Sequence, residues 1–265
     1  MEQLTINDIH QSLLGIAKEL HRICVKYNIP YYMLGGTMLG AIRHKGFIPW
    51  DDDMDMGVPR EYYDVLRHLL EQEMDRRYNI ISEEWITPIA YYKIQDTYTI
   101  SFPQSIKEGS SSVSLNIDIF PLDTCTLDNN ILRPIYKRQR QLNAIHNACF
   151  TNMNTFPLYK RLPMLIFRSL FHYSRERWLT EFKELEARLR TSGNGGLVNF
   201  SGIYKIKEVL DKEIFGTPRL YSFEDTELYG PEKADAFLLQ IYGDYMKLPS
   251  EDKRRIHSTK VYYKD

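Results

Sequence analysis

The chain has 265 residues, long enough for one large domain, or a core with an appendage, to bury a substantial apolar interior. Its 34 Lys and Arg nearly balance 35 Asp and Glu, so no global field selects nucleic acid as a partner. Cys24, Cys125 and Cys149 lack paired spacing, which argues against a disulfide framework or a zinc knuckle and fits a reducing cytoplasm. The first residues show no basic segment followed by an apolar one, and no stretch reaches the ~20 apolar residues of a membrane span. The seven histidines never pair at metal-ligand spacing, so any metal here needs oxygen ligands.

From Ile9, the apolar positions Leu13, Ile16, Leu20 and Ile23 recur at helical steps, and Asn28 to Pro30 ends that helix. Tyr31 to Leu34 reads as a short buried strand, broken by Gly35-Gly36 before a helical stretch over Thr37–Arg43. After a loop to Trp50, the alternation in Asp51–Val58 predicts a strand with Asp51, Asp53 and Asp55 on one face and Met54, Met56 and Val58 on the other. Pro59 opens another helix, and strands are expected at Tyr78–Trp85, Ala90–Gln95 and Val113–Phe120. Beyond Asp128 the pattern turns mainly helical, with a break at residues 191–196. The expected architecture is α+β, with a small mixed sheet flanked by helices over 1–125 and a mainly helical part over 126–265 packed with it as one unit.

Four aspartates within Asp51–Asp55 repel one another unless water or a cation screens them, and oxygen ligands of this kind suit Mg²⁺ or Mn²⁺. A solvated acidic turn is the plain alternative. An EF-hand is excluded, because counted from Asp51 it requires glycine and glutamate where Met56 and Tyr62 stand. The Asp-x-Asp site of a glycosyltransferase stays open. Upstream, Gly35 and Gly36 allow close backbone approach, and the following helix offers N–H groups to a phosphate. Asp118 lies inside an apolar run and therefore calls for a charged partner, while Asp123 fits a capping or supporting role. Lys93, between aromatic residues, is a candidate for donor phosphates or a surface residue with a packed stem. Leu158–Phe171 mixes apolar and basic residues as a helix lying on an anionic membrane would, or as a core-packing helix with a basic outer side.

These residues resemble the LicD family, related to fukutin, within the nucleotidyltransferase-fold superfamily. The resemblance is carried by Tyr31 to Gly57, by Asn116-Ile-Asp-Ile-Phe-Pro-Leu-Asp123, and by Tyr242-Gly-Asp-Tyr-Met-Lys-Leu-Pro249 with Arg254 and His257 following. It implies a nucleotidyltransferase-like core in which Gly35, Gly36 and Thr37 form the phosphate turn, Asp53 and Asp55 hold the metal, and Asp118 is the third acidic residue. The interval from Gly36 to Asp53 is longer than in most of that superfamily, and the resemblance implies extra substrate contacts from the loop Arg43–Trp50, with Arg43, His44 and Lys45 as the candidates. The implied reaction moves a phosphorylated alcohol from a CDP-linked donor, CDP-choline first, to the sugar hydroxyl of a glycan or lipid-linked precursor. Donors such as CDP-ribitol or CDP-glycerol, nucleotidyl transfer, and glycosyl transfer are the alternatives. The expected setting is the cytoplasm, with peripheral contact at the inner membrane face if the basic helix serves a lipid-linked acceptor.

Overall fold

The computed structural model describes residues 3–82, 88–101, 113–151, 154, 156–170, 173–254 and 260–264. Helix α1 (Ile6–Lys26) starts at a capping box, in which Thr5 Oγ1 accepts from the Asp8 N–H and the Asp8 carboxylate accepts from the Thr5 N–H. It buries the predicted face, with Leu13, Ile16, Leu20 and Ile23 wholly out of water. Then follow β1 (Tyr32–Met33), α2 (Gly35–His44), β2 (Asp55–Pro59), α3 (Arg60–Glu73), β3 (Tyr78–Ile81), β4 (Tyr92–Asp96), β5 (Thr99–Ser101) and β6 (Asn116–Cys125). The remainder comprises α4 (Asn129–Phe150), α5 (Leu158–Leu170), α6 (Arg175–Arg190), β7 (Gly196–Asn199), β8 (Leu210–Asp211), α7 (Lys212–Phe215), β9 (Arg219–Phe223), β10 (Thr226–Gly230), α8 (Ala234–Tyr242) and β11 (Val261–Tyr263).

The described residues form a mixed α and β structure with eight α-helices around a seven-stranded sheet. Its main order is β1-β2-β6-β4-β3, and β7 and β8 join alongside the end of β6. Only β2 and β6 run parallel, in the register Asp55 to Asp118, while β4 pairs antiparallel with β6 so that Lys93 stands opposite Asp118. Ile117 and Ile119 of β6, Ile94 of β4, and Met56 and Val58 of β2 are fully buried, which fixes the opposite strand faces toward the cleft described below.

Several elements depart from the sequence expectation. The acidic segment is a strand only from Asp55; Asp51 to Met54 is a loop, held where the Asp51 N–H donates to the Ile48 carbonyl and its own carbonyl meets His10 Nε2 at 2.7 Å. Three aspartates therefore do not share a strand face. Gly35 and Gly36 do not precede a helix but form its first turn. Helices dominate after Asp128 only as far as Arg190; five short strands follow, two of them extending the central sheet, two forming the β9–β10 hairpin and β11 pairing with β5. Trp85, Phe171 and His257 lie outside the described residues.

Asp123, wholly buried on β6, accepts a bidentate pair from Arg60 at 2.7 and 2.8 Å and a third bond from Arg190 at 3.3 Å. One carboxylate so ties α3 and α6 to the sheet, which is the supporting role expected of it. The core reaches across the chain, because Phe215, Phe223, Leu228, Phe237 and Leu238 pack with residues of α1, β1 and β2. A second apolar cluster joins α4 and α6 to Val198 and Phe200.

Candidate active site

A cleft of ≈ 900 Å³ opens at one end of β2 and β6, lined by Gly35 and Gly36, by Asp51, Asp53, Asp55 and Asp118, and by Tyr204, Glu208 and Tyr242. The sheet register creates its acidic floor. Asp55, Asp118 and Lys93 occupy aligned positions on β2, β6 and β4, and neighbouring strands place such residues about 5 Å apart. Lys93 Nζ donates to Asp118 Oδ1 at 2.5 Å and to Asn116 Oδ1 at 3.1 Å, supplying the charged partner that a carboxylate in an apolar strand requires. Asp53, exposed in the preceding loop, and half-buried Asp55 complete the group. Burial first, and then the Asp53 and Asp118 charges, push the Asp55 carboxyl well above the usual range.

Helix α2 faces this floor. No side chain caps its N-terminus, and the Thr37 hydroxyl, in its first turn, accepts from the Asp55 N–H at 2.9 Å. Its opening residues must lack side chains. Gly35 has φ +46, where a β-carbon is strained, and one would stand 3.4 Å from Asp55 Oδ2; at Gly36 it would stand 2.7 Å from Asp51 Oδ2. A short-range contact between helix N-terminus and carboxylates is thus built into the backbone, and the dipole end favours negative charge there.

The remaining candidates separate. Arg43 lines the cleft and donates to the Tyr245 carbonyl at 3.0 Å, and its Nε–H donates to His44 Nε2 at 2.9 Å. His44 turns toward Trp50 rather than into the cleft; burial and the adjacent guanidinium lower its pKa, so the ring is a neutral acceptor. Lys45 is the exposed left-handed residue that ends α2, with φ 61. Lys93 and Thr37 support the aspartates from behind the cleft wall. Far-sequence residues supply the rest. The Tyr242–Pro249 block, quoted above without a mechanism, lines the cleft through Tyr242, Asp244, Tyr245 and Lys247 to Pro249. The rings of Tyr204 and Tyr242 meet edge-on at 5.1 Å, and Arg254 stacks 4.8 Å from Trp50. Glu208 had no signal in sequence. It is buried, accepts the Tyr204 N–H at 2.8 Å, and is pushed up to about 7 by burial.

The donor chemistry suits a hard divalent cation, since Asp53 and Asp55 present oxygens and an added positive charge would relieve the strain on the Asp55 anion. Among the described residues no three His, Cys, Asp or Glu side chains already converge on a common point, and Asp118 has Lys93 as its cation. The fit is therefore strongest for Asp53 and Asp55.

The acidic strand pair and the glycine-opened N-terminus of α2 line one cleft, so that carboxylate oxygens and backbone N–H groups border the same cavity. Residues 28–165 match the family described as LicD/FKTN/FKRP, nucleotidyltransferase domain, and the chain belongs to that family. It is 29% identical to the lipopolysaccharide cholinephosphotransferase LicD of Haemophilus influenzae over 269 residues, spanning 99% of each chain. An uncharacterized protein of Rickettsia prowazekii is 34% identical over 95 residues, which cover 33% of this chain and 36% of that protein.

Proposed function

We propose that this chain transfers a phosphorylated alcohol, phosphocholine first, from a CDP-linked donor to a sugar hydroxyl of a lipopolysaccharide-type glycan or its precursor, with release of CMP. The observation that carries the reading is the alignment of Asp55 with Asp118 beside Asp53, opposite the Gly35-Gly36 end of α2. The end-to-end similarity to a cholinephosphotransferase supports the same donor group. In this reading residues 1–125 are the catalytic core and 126–265 complete the substrate site. Support for that division of labour comes from Asn199, Glu208, Tyr242 and Leu248 in the cleft wall.

The acceptor oxygen forms a bond to the phosphorus of the transferred group, and the bond from that phosphorus to the oxygen bridging it to CMP breaks. The hydroxyl proton passes to a carboxylate, for which Asp118 is the proposed acceptor, steadied by Lys93. The backbone N–H groups of Gly35, Gly36 and Thr37 at the helix end hold the donor phosphates, and Gly35, Gly36 and Arg43 border the cleft. Mg²⁺ or Mn²⁺, held by Asp53 and Asp55 with Asp118 beside them, would neutralise diphosphate charge. Tyr204, Tyr242 and the buried Glu208 line the cleft, where an aromatic face beside a carboxylate would suit a quaternary ammonium. The proposed setting is cytoplasmic.

Purified protein incubated with Mg²⁺, a panel of CDP-alcohols and candidate glycans tests this by CMP release and product mass. Added phosphocholine mass with CMP formation is expected. A product gaining a hexose, with no phosphorus, would replace the reading with glycosyl transfer.

A further inference from the structure

Helix α5 is inverted relative to an ordinary surface helix. None of its residues is buried, and Leu158, Tyr159, Leu162, Leu165, Ile166 and Leu170 are 49–76% exposed. At about 100° per residue these six share one side of the helix. The other side, half-buried, carries Arg161, Met164, Phe167 and Arg168. Arg161 donates to the carbonyls of Phe156 and Asn154 at 2.8 and 2.9 Å, and Arg168 donates to that of Thr151 at 2.8 Å and to that of Ala148 in α4. Guanidinium groups thus serve backbone carbonyls beneath the helix while the apolar face is turned to solvent. The core-packing reading of this segment fails.

Charge identifies what covers that face. Between Asp128 and Glu176 the sequence has eight Lys and Arg and no Asp or Glu, although the whole chain carries a net charge of −1. Arg133, Lys137 and Arg140 on α4 and Lys160 on α5 are exposed. Nucleic acid would use the cations but not six large apolar side chains, whereas a second copy would use the apolar face but set two cationic segments against each other. An anionic lipid surface satisfies both, and Tyr159 and Lys160 suit its interface, where amphipathic side chains put polar ends in water. Among the described residues no helix is long and apolar enough to cross a membrane, so α5 would lie in the plane.

We propose that α5, which lies within a stretch of sequence holding eight cations and no anion, docks this protein on an anionic phospholipid bilayer, its Leu158–Leu170 apolar side inserted among the lipids. This concerns where the chain works, not what it transfers, and stands independently of the proposed reaction.

The full chain is floated with vesicles of phosphatidylcholine plus phosphatidylglycerol, and with phosphatidylcholine alone. Flotation with the anionic vesicles only is expected, weakening as salt rises. Combined Leu162→Glu and Ile166→Glu should cut the floated fraction at least about tenfold at unchanged melting temperature and unchanged transfer to a soluble acceptor, because both side chains already face solvent. The proposal is overturned if the wild-type chain does not float at low salt, if the double variant floats equally well, or if light scattering shows a wild-type dimer that the double variant converts to monomer.

Discussion

Removing the Lys93 ammonium should unbalance the acidic floor more than removing the carboxylate it touches. Lys93 meets Asp118 at 2.5 Å, with side-chain exposures of 11% and 19%, and Asp53 and Asp55 lie on the same floor. At an effective dielectric near 20, unit charges ~3 Å apart interact by roughly 5 kcal/mol, part of which offsets the cost of taking both groups out of water. Lys93→Met leaves three carboxylates facing one another, and a net loss of about 2–4 kcal/mol in EDTA is expected. Asp118→Asn lowers the negative charge and leaves Lys93 its bond to Asn116, so it should cost only about 1–2 kcal/mol. The double variant should lie close to Asp118→Asn, giving a coupling energy equal to the Lys93→Met loss, about 2–4 kcal/mol, by urea denaturation of all four proteins. Millimolar Mg²⁺ should then restore stability most in Lys93→Met, where the uncompensated charge is greatest. Additive single losses, or an equal Mg²⁺ response in all four proteins, would refute this account of the floor.

Other consequences follow from neighbouring contacts. Gly36→Ala puts a methyl 2.7 Å from Asp51 Oδ2, so calorimetry should find CDP-choline affinity reduced about tenfold, with acceptor KM little changed. Asp123→Ala strands Arg60 and Arg190 between α3, α6 and the sheet; denaturation should show a loss of ~3–5 kcal/mol with normal activity per folded molecule. Glu186, buried with Oε1 lacking a hydrogen-bond partner, is pushed by burial up to about 7 from 4.5. Since its folded-state value is the higher, its contribution to stability is present below about pH 4.5 and is lost as pH rises through about 7. Glu186→Gln should flatten that slope, gaining on wild type by about 2 kcal/mol between pH 5 and 8 in urea titrations, and parallel slopes would refute the assignment.

What could be read from sequence follows the range of the forces involved. Helix α1 was legible because its cap and its apolar spacing are local, and Asp118 because a carboxylate among strand-forming apolar residues demands a partner. That Lys93 is the partner depends on strand pairing between β4 and β6, to which no single segment points. The acidic segment misled through its alternation. Pairing with β1 and β6 begins only near Asp55, and the His10 and Ile48 contacts keep Asp51 in a loop. Short strands such as β8, two residues long, carry no period to read. The cleft wall from Tyr204 and Glu208 was hidden because it is assembled by tertiary packing around residues remote in the chain, while the Tyr242–Pro249 block was visible as a motif but not as part of that wall. For Leu158–Phe171 the composition permitted two orientations, and the carbonyl bonds of Arg161 and Arg168 decide between them.

The central claim, that Asp55 with Asp53 and Asp118 forms a phosphoryl-transfer site, is tested most directly by CMP release from CDP-choline under single-turnover conditions with Mg²⁺, wild type against Asp55→Asn. The substitution keeps shape and removes charge from a carboxylate crowded by its neighbours, so the variant should fold with at least wild-type stability in EDTA. Its rate should nonetheless fall by at least ~10²-fold, and a rate within a few-fold of wild type in the folded variant would contradict the claim.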